Sequence, residues 1–126
     1  MAKSFKIAVA PTFTSMVDIP RVGGDNISVK FIFKSMNRLQ LAALFTKWQK
    51  AQEEMVAEGA DFTLEEWAAK EASLQVQQVK DITNGWGFED EFNDENIEAL
   101  VLTAIDVATA ITDAYGEAYT RARKGN

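Results

Sequence analysis

Near Asn37 the hydrophobic period of this chain changes from two residues to about 3.6, so a sheet must form first and helices follow it. Before the change, Phe5, Ile7 and Val9 alternate with Lys6 and Ala8 up to Pro11, and Val17 and Ile19 alternate before Pro20. Gly23, Gly24, Asp25 and Asn26 form a turn cluster, because Gly and Asn tolerate the positive φ of tight turns. Ile27, Val29, Phe31 and Phe33 then alternate with Ser28, Lys30, Ile32 and Lys34. The pattern predicts a small antiparallel sheet within residues 5–34, with one buried face.

Beyond Asn37, Leu41, Leu44, Phe45, Trp48, Ala51 and Met55 recur at helical spacing, and the Gly59 region ends that helix. A second helix starts at Thr63, which forms a capping box with Glu66 and is flanked by Phe62 and Trp67 in the positions of a hydrophobic staple. Leu64, Trp67, Ala68, Ala72, Val79 and Ile82 fall on one side of this helix, which runs to about Asp81. Asn84, Gly85, Trp86 and Gly87 read as a loop. Asn93 caps a third helical region, with Asp94 and Glu95 at its positive dipole end. Its stripe of Ile97, Leu100, Val101, Ala104, Ala108, Ile111, Tyr115 and Ala118 continues without a stop signal, which predicts an unbroken last helix. Arg121, Arg123 and Lys124 suit the negative end, and Gly125 can stop it. The expected architecture is α+β in one domain spanning residues 1–126: a β-sheet region over 5–34 packed with three to four helices over 37–124.

Residue types exclude whole classes of chemistry. The chain has no Cys and no His, which removes thiol nucleophiles, His general bases and the Cys/His ligands of structural zinc. Met1 to Lys6 lacks the apolar run of a secretory signal, and no stretch approaches the roughly 20 apolar residues of a membrane span, so a cytoplasmic protein is expected. The net charge of −6 is unevenly spread: +4 through Arg38, −13 from Leu39 to Thr120, and +3 in the tail. An acidic body repels phosphate backbones, which argues against nucleic acid as a partner.

Glu89, Asp90, Glu91, Asp94, Glu95 and Glu98 invite a calcium-loop reading. With Gly85 at the sixth loop position, however, Lys80 and Ile82 occupy the first and third, where oxygen ligands are required. A solvated acidic face is the simpler reading, with docking of a basic partner as the alternative. Acid/base chemistry needs two carboxylates held across a cleft, and these are neighbours in sequence. Lys30 and Lys34 alternate with Phe31 and Phe33, which places lysines and aromatics on opposite faces, as in a half-buried strand. Gly23 and Gly24 lack the Gly-Lys-Ser/Thr of a phosphate loop. No catalytic residue, metal site or cofactor is expected. Trp48, Trp67, Trp86, Tyr115 and Tyr119 serve either a core or an interface.

Several stretches together resemble the tail assembly chaperones of long-tailed bacteriophages. They are Phe5-Lys6, Pro11-Thr12-Phe13, Val17-Asp18-Ile19-Pro20, Gly23-Gly24 and Phe31-Ile32-Phe33-Lys34 near the start. Toward the end they are Gly85-Trp86, Phe92, Glu95-Asn96, Ala110-Ile111, Ala114-Tyr115 and Ala122-Arg123-Lys124. Residues 37–78 are longer than the matching region of that family, and Ala104-Ile105-Asp106 stands where a helix break is expected. The resemblance implies a protein of the host cytoplasm, absent from the mature virion, that binds and solubilises the tape measure protein, recruits tail tube subunits and self-associates. It also implies that a frameshifted longer form accompanies the protein in some such systems. Trp48, Trp86, Tyr115 and Tyr119 are then the expected aromatic anchors, with Arg121, Arg123 and Lys124 as a polar rim. Two other functions remain open from sequence: an acidic adaptor or inhibitor of a basic partner site, and a small carboxylate enzyme.

Overall fold

The computed structural model describes residues 4–123, with side chains through Thr120. Two strands, β1 (Thr12–Ile19) and β2 (Ile27–Lys34), lead into α1 (Arg38–Glu58) and α2 (Leu64–Ile82). Then follow a short strand β3 (Thr83–Trp86), α3 (Asp94–Val101) and α4 (Val107–Arg123). The sheet is antiparallel in the order β1-β2-β3, so the α+β class read from the sequence is the class observed.

The alternation in β1 and β2 fixes their register, because a one-residue slip would turn every apolar side chain to the wrong face. Thr12 lies opposite Lys34 and Ile19 opposite Ile27, with no irregularity between. One face carries Val17, Ile19, Val29, Phe31 and Phe33, all buried. Gly23, at φ 76°, supplies the left-handed residue of the connection. Against this face lie Val79 and Ile82 of α2, Ile97 and Val101 of α3, and Val107, Ile111 and Tyr115 of α4.

Helix starts are set locally. Asn37 and Gln40 satisfy each other's backbone N–H at the head of α1, and Thr63 and Glu66 do the same at α2. Asn93 Oδ1 accepts from the Asn96 N–H at α3. Between α1 and α2 a single 3-10 turn at Gly59–Asp61 reverses the chain. There the Trp67 ring lies so close to Gly59 that an added Cβ would sit 2.5 Å from it.

Five expectations are corrected. Residues 5–9 are not a strand: Phe5, Ile7 and Val9 are exposed, because the chain before Pro11 runs past the end of β2 and meets no partner strand among the described residues. Conversely, β1 begins at Thr12, well before Val17. The segment 84–87 is not a free loop, since Thr83–Trp86 pairs with β2 and Gly87 N–H donates to the Lys30 carbonyl at 2.7 Å, so the sheet draws a strand from the region expected to be helical. The last helix is broken at 102–106, where the Thr103 N–H and hydroxyl both donate to the Leu100 carbonyl, at 3.1 and 2.6 Å. That shift from the i→i−4 pattern ends α3, leaves Leu102 and Ile105 exposed, and lets α4 turn to lie across β1. On α2, Leu64 and Ala68 are exposed and do not share the buried side of Val79 and Ile82.

Candidate interaction surface

Of the expected anchors, the structure brings two together. Tyr115 and Tyr119 lie one turn apart on α4, with hydroxyl oxygens 3.2 Å apart. Tyr115 is 1% exposed and donates to the Lys34 carbonyl at 2.7 Å. Burial, together with the Tyr119 hydroxyl, pushes the Tyr115 hydroxyl well above its ordinary pKa of 10.0. Tyr119 accepts from the Met36 N–H at 3.0 Å, and its ring meets Phe13 edge-on at 5.8 Å. The pair therefore ties α4 to the segment joining β2 to α1, and only Tyr119 reaches the surface.

Trp48 lies elsewhere, between α1 and α2. Its Nε1 donates to Asp81 Oδ2 at 2.9 Å, and Asp81 also receives Lys47 at 3.0 Å and Gln77 at 2.8 Å. Partial burial pushes the Asp81 carboxyl up, but the hydrogen bonds from Trp48, Gln77 and Lys47, with the Lys47 charge, outweigh it and hold the group below its ordinary 3.8. Trp86 occupies a third place at the end of β3, donating to the Asp90 carbonyl at 2.8 Å and packing edge-on against Phe88 and Phe92 at 5.1 and 5.0 Å. It borders a groove of about 560 Å³ beneath the β1–β2 connection, lined also by Pro20, Val22 and Leu100. Lys124 lies outside the described residues, as do the side chains of Arg121 and Arg123, whose backbones close α4.

A second groove, about 470 Å³, runs between α1 and α4. Leu41 and Phe45 form one wall, Thr112 and Gly116 the other, and Tyr119 lies alongside them. Phe45 is 47% exposed, and its ring lies 5.7 Å from that of Trp48, which does not itself line the groove. Apart from its chain neighbours and the backbone of its own helix, nothing lies within 4 Å of where a Gly116 Cβ would stand. Asp113 and Glu117 supply an acidic rim. The α1 stripe was legible in the sequence, whereas its pairing with α4 was not. Gly116, a glycine within a helical segment and off its apolar stripe, was the one signal available.

The acidic segment is a solvated face. Glu89, Asp90 and Glu91 are exposed, Asp94 pairs with Lys80 at 3.1 Å, and among the described residues no three acids converge as a metal site would require. Among the same residues, no helix is long and apolar enough to cross a membrane. Among the described residues, the surface offers open grooves with apolar groups in their walls, these two among them. A family model described as phage tail assembly chaperone matches residues 1–126, the whole chain.

The chain belongs to the phage tail assembly chaperone family. No curated protein and no solved structure gives a match. Membership makes phage tail proteins the general class of partner for this chaperone, and such chaperones are in general not enzymes. The match runs through residues 37–78, which form α1 and most of α2, the helical hairpin that carries Phe45 and Trp48.

Proposed function

We propose that this chaperone binds the tape measure protein in the groove between α1 and α4, keeps that long client soluble in the host cytoplasm, recruits tail tube subunits, and is left out of the mature virion. The observation that carries the reading is the groove itself. An amphipathic client helix needs an apolar trough with room for its backbone, and Leu41, Phe45 and Tyr119 beside an uncovered Gly116 provide one. The acids around it, within a chain of net charge −6, keep the loaded complex dispersed by like-charge repulsion.

Among the expected anchors, Tyr119 borders this trough, Trp48 packs against Phe45 of its wall, Tyr115 holds Tyr119 in place from below, and Trp86 borders the other groove. Arg121, Arg123 and Lys124 follow Tyr119 in sequence and are proposed as its polar rim. No cofactor, metal or catalytic group enters this role.

Coexpression with the tape measure protein tests the reading. The client should stay in the soluble fraction with the wild-type chain, and Phe45→Asp should lose it while circular dichroism of the variant stays unchanged. A client that is equally insoluble with and without the chain overturns the proposal. A complex that dissociates steeply with added salt would instead favour an acidic adaptor using Glu89, Asp90 and Glu91, since apolar contacts are far less salt-sensitive.

A further inference from the structure

Residues 4–10 have the composition of a strand, and among the described residues they pair with nothing. Phe5, Ile7 and Val9 are 87%, 101% and 81% exposed, an alternating apolar set left in water. They cannot readily fold back on their own β1, because that hairpin would have to turn at Ala10 and Pro11. Two-residue hairpin turns need positive φ, which Ala disfavours and Pro forbids. Meanwhile β1 stands at the edge of the sheet, with one side unpaired among the described residues. The same chain thus carries a strand without an edge and an edge without a strand.

Backbone parity says how the two would fit. The Pro11 carbonyl accepts from the Ser35 N–H at 2.8 Å, so odd-numbered residues of this strand turn their peptide groups toward β2. Thr12, Thr14, Met16 and Asp18 therefore turn theirs outward. In an antiparallel pair, facing residues both point their peptide groups inward or both outward, so even residues must face even ones. Phe5, Ile7 and Val9 then necessarily join the face that carries Phe13, Val17 and Ile19, the face packed against α4. Among the registers that parity permits, the one with a two-fold axis at Thr12 sets Phe5 beside Ile19, Ile7 beside Val17 and Lys6 opposite Asp18. Asp18 has only the uncharged Ser28 as its neighbour on β2.

The geometry points to a symmetric dimer in which residues 4–10 of each copy extend the sheet of the other along the free edge of β1. Such an interface is self-complementary, as a two-fold contact requires, and it covers the exposed apolar set and the open edge at once. It involves none of the residues lining the groove between α1 and α4, and it stands independently of how the client binds there.

Sedimentation equilibrium of the full chain tests it. The wild type should be dimeric, and Ile7→Asp should be monomeric with an unchanged far-ultraviolet spectrum, since Ile7 is fully exposed within one copy. Lys6→Glu should raise the dissociation constant by about tenfold, counting both symmetric pairs, and adding Asp18→Lys should restore it. Because the chain has no Cys, a mixture of Val9→Cys and Ser15→Cys chains should form a disulfide between unlike copies on oxidation. A wild type that is monomeric throughout, an assembly indifferent to Ile7→Asp, or a mixture that does not cross-link would each overturn the inference.

Discussion

The body formed by the sheet and α4 and the hairpin formed by α1 and α2 are held together by different physics. In the body, Phe31, Phe33, Ile111 and Tyr115 are sealed from water, and aromatic rings meet in series from Phe13 through Phe33 to Tyr115. In α1, by contrast, only Leu44 and Met55 are buried, and the link to α2 centres on the polar cluster at Asp81. Apolar burial is nondirectional and strong, whereas a few partly exposed polar bonds are weaker and more easily exchanged. A chaperone needs both kinds of region: a frame that stays folded, and a wall of its trough that can shift to admit a client.

Truncation in the frame is the largest expected effect and the sharpest way to break this contrast. Ile111→Ala should cost roughly 2–5 kcal/mol of global stability, because Ile111 is 0% exposed and its neighbours come from several elements. Leu44→Ala in α1, where the residue is 8% exposed, should fall at or below the lower end of that range. Chemical denaturation followed by circular dichroism compares the two. Equal losses would mean that the hairpin is as firmly built as the frame.

Next in size is the Asp81 cluster. Asp81→Ala leaves the Trp48 indole N–H without its acceptor and should cost about 1–3 kcal/mol, felt chiefly in amide exchange of α1. The cluster also gives the hairpin a pH dependence of defined sign. The folded pKa lies below the ordinary 3.8, so the stabilisation is present in full above that value and is lost as the pH falls through the folded one. Amide exchange in α1 should therefore accelerate on acidification past 3.8, before the sheet opens. In Asp81→Asn the Asp81 contribution to that step should disappear.

How much of this was legible beforehand follows the range of the forces involved. Capping at Thr63 and Asn93 and the alternation of β2 are local, and they could be read directly. The fate of residues 5–9 and of Thr83–Trp86 could not, because a strand exists only where another strand lies beside it. Phe5 to Val9 had the pattern and no neighbour, whereas Asn84 and Gly85 had turn residues and β2 alongside. The break after Val101 was hidden for another reason: the stripe from Ile97 to Tyr115 keeps its period, while the interruption comes from Thr103 bonding the Leu100 carbonyl and from α4 having β1 to cover. Of the surface, the α1 stripe was readable one helix at a time, but a groove is a property of two helices, and Gly116 gained meaning only opposite Phe45.

Tyr119 joins the two regions, and removing its hydroxyl tests that joint. Tyr119→Phe keeps the ring against Phe13 but strands the part-buried Met36 N–H, which should cost about 1 kcal/mol in a denaturation series. A neutral result would mean that ring packing alone fixes the start of α1.

The smallest expected effect has the opposite sign. Gly116 sits inside α4, where glycine weakens a helix by roughly 0.5–1 kcal/mol relative to Ala, and a Cβ there meets no atom within 4 Å. Gly116→Ala should therefore stabilise the free chain by about that amount. Gly116→Leu should keep at least part of the gain, because its side chain has the open trough to occupy. If the client helix lies where Leu41, Phe45 and Tyr119 leave room, the two variants must separate in the coexpression assay: the methyl tolerated, the isobutyl group excluding the client. Stability and client retention would then move in opposite directions at one residue, an outcome that a passive, merely structural groove would not produce.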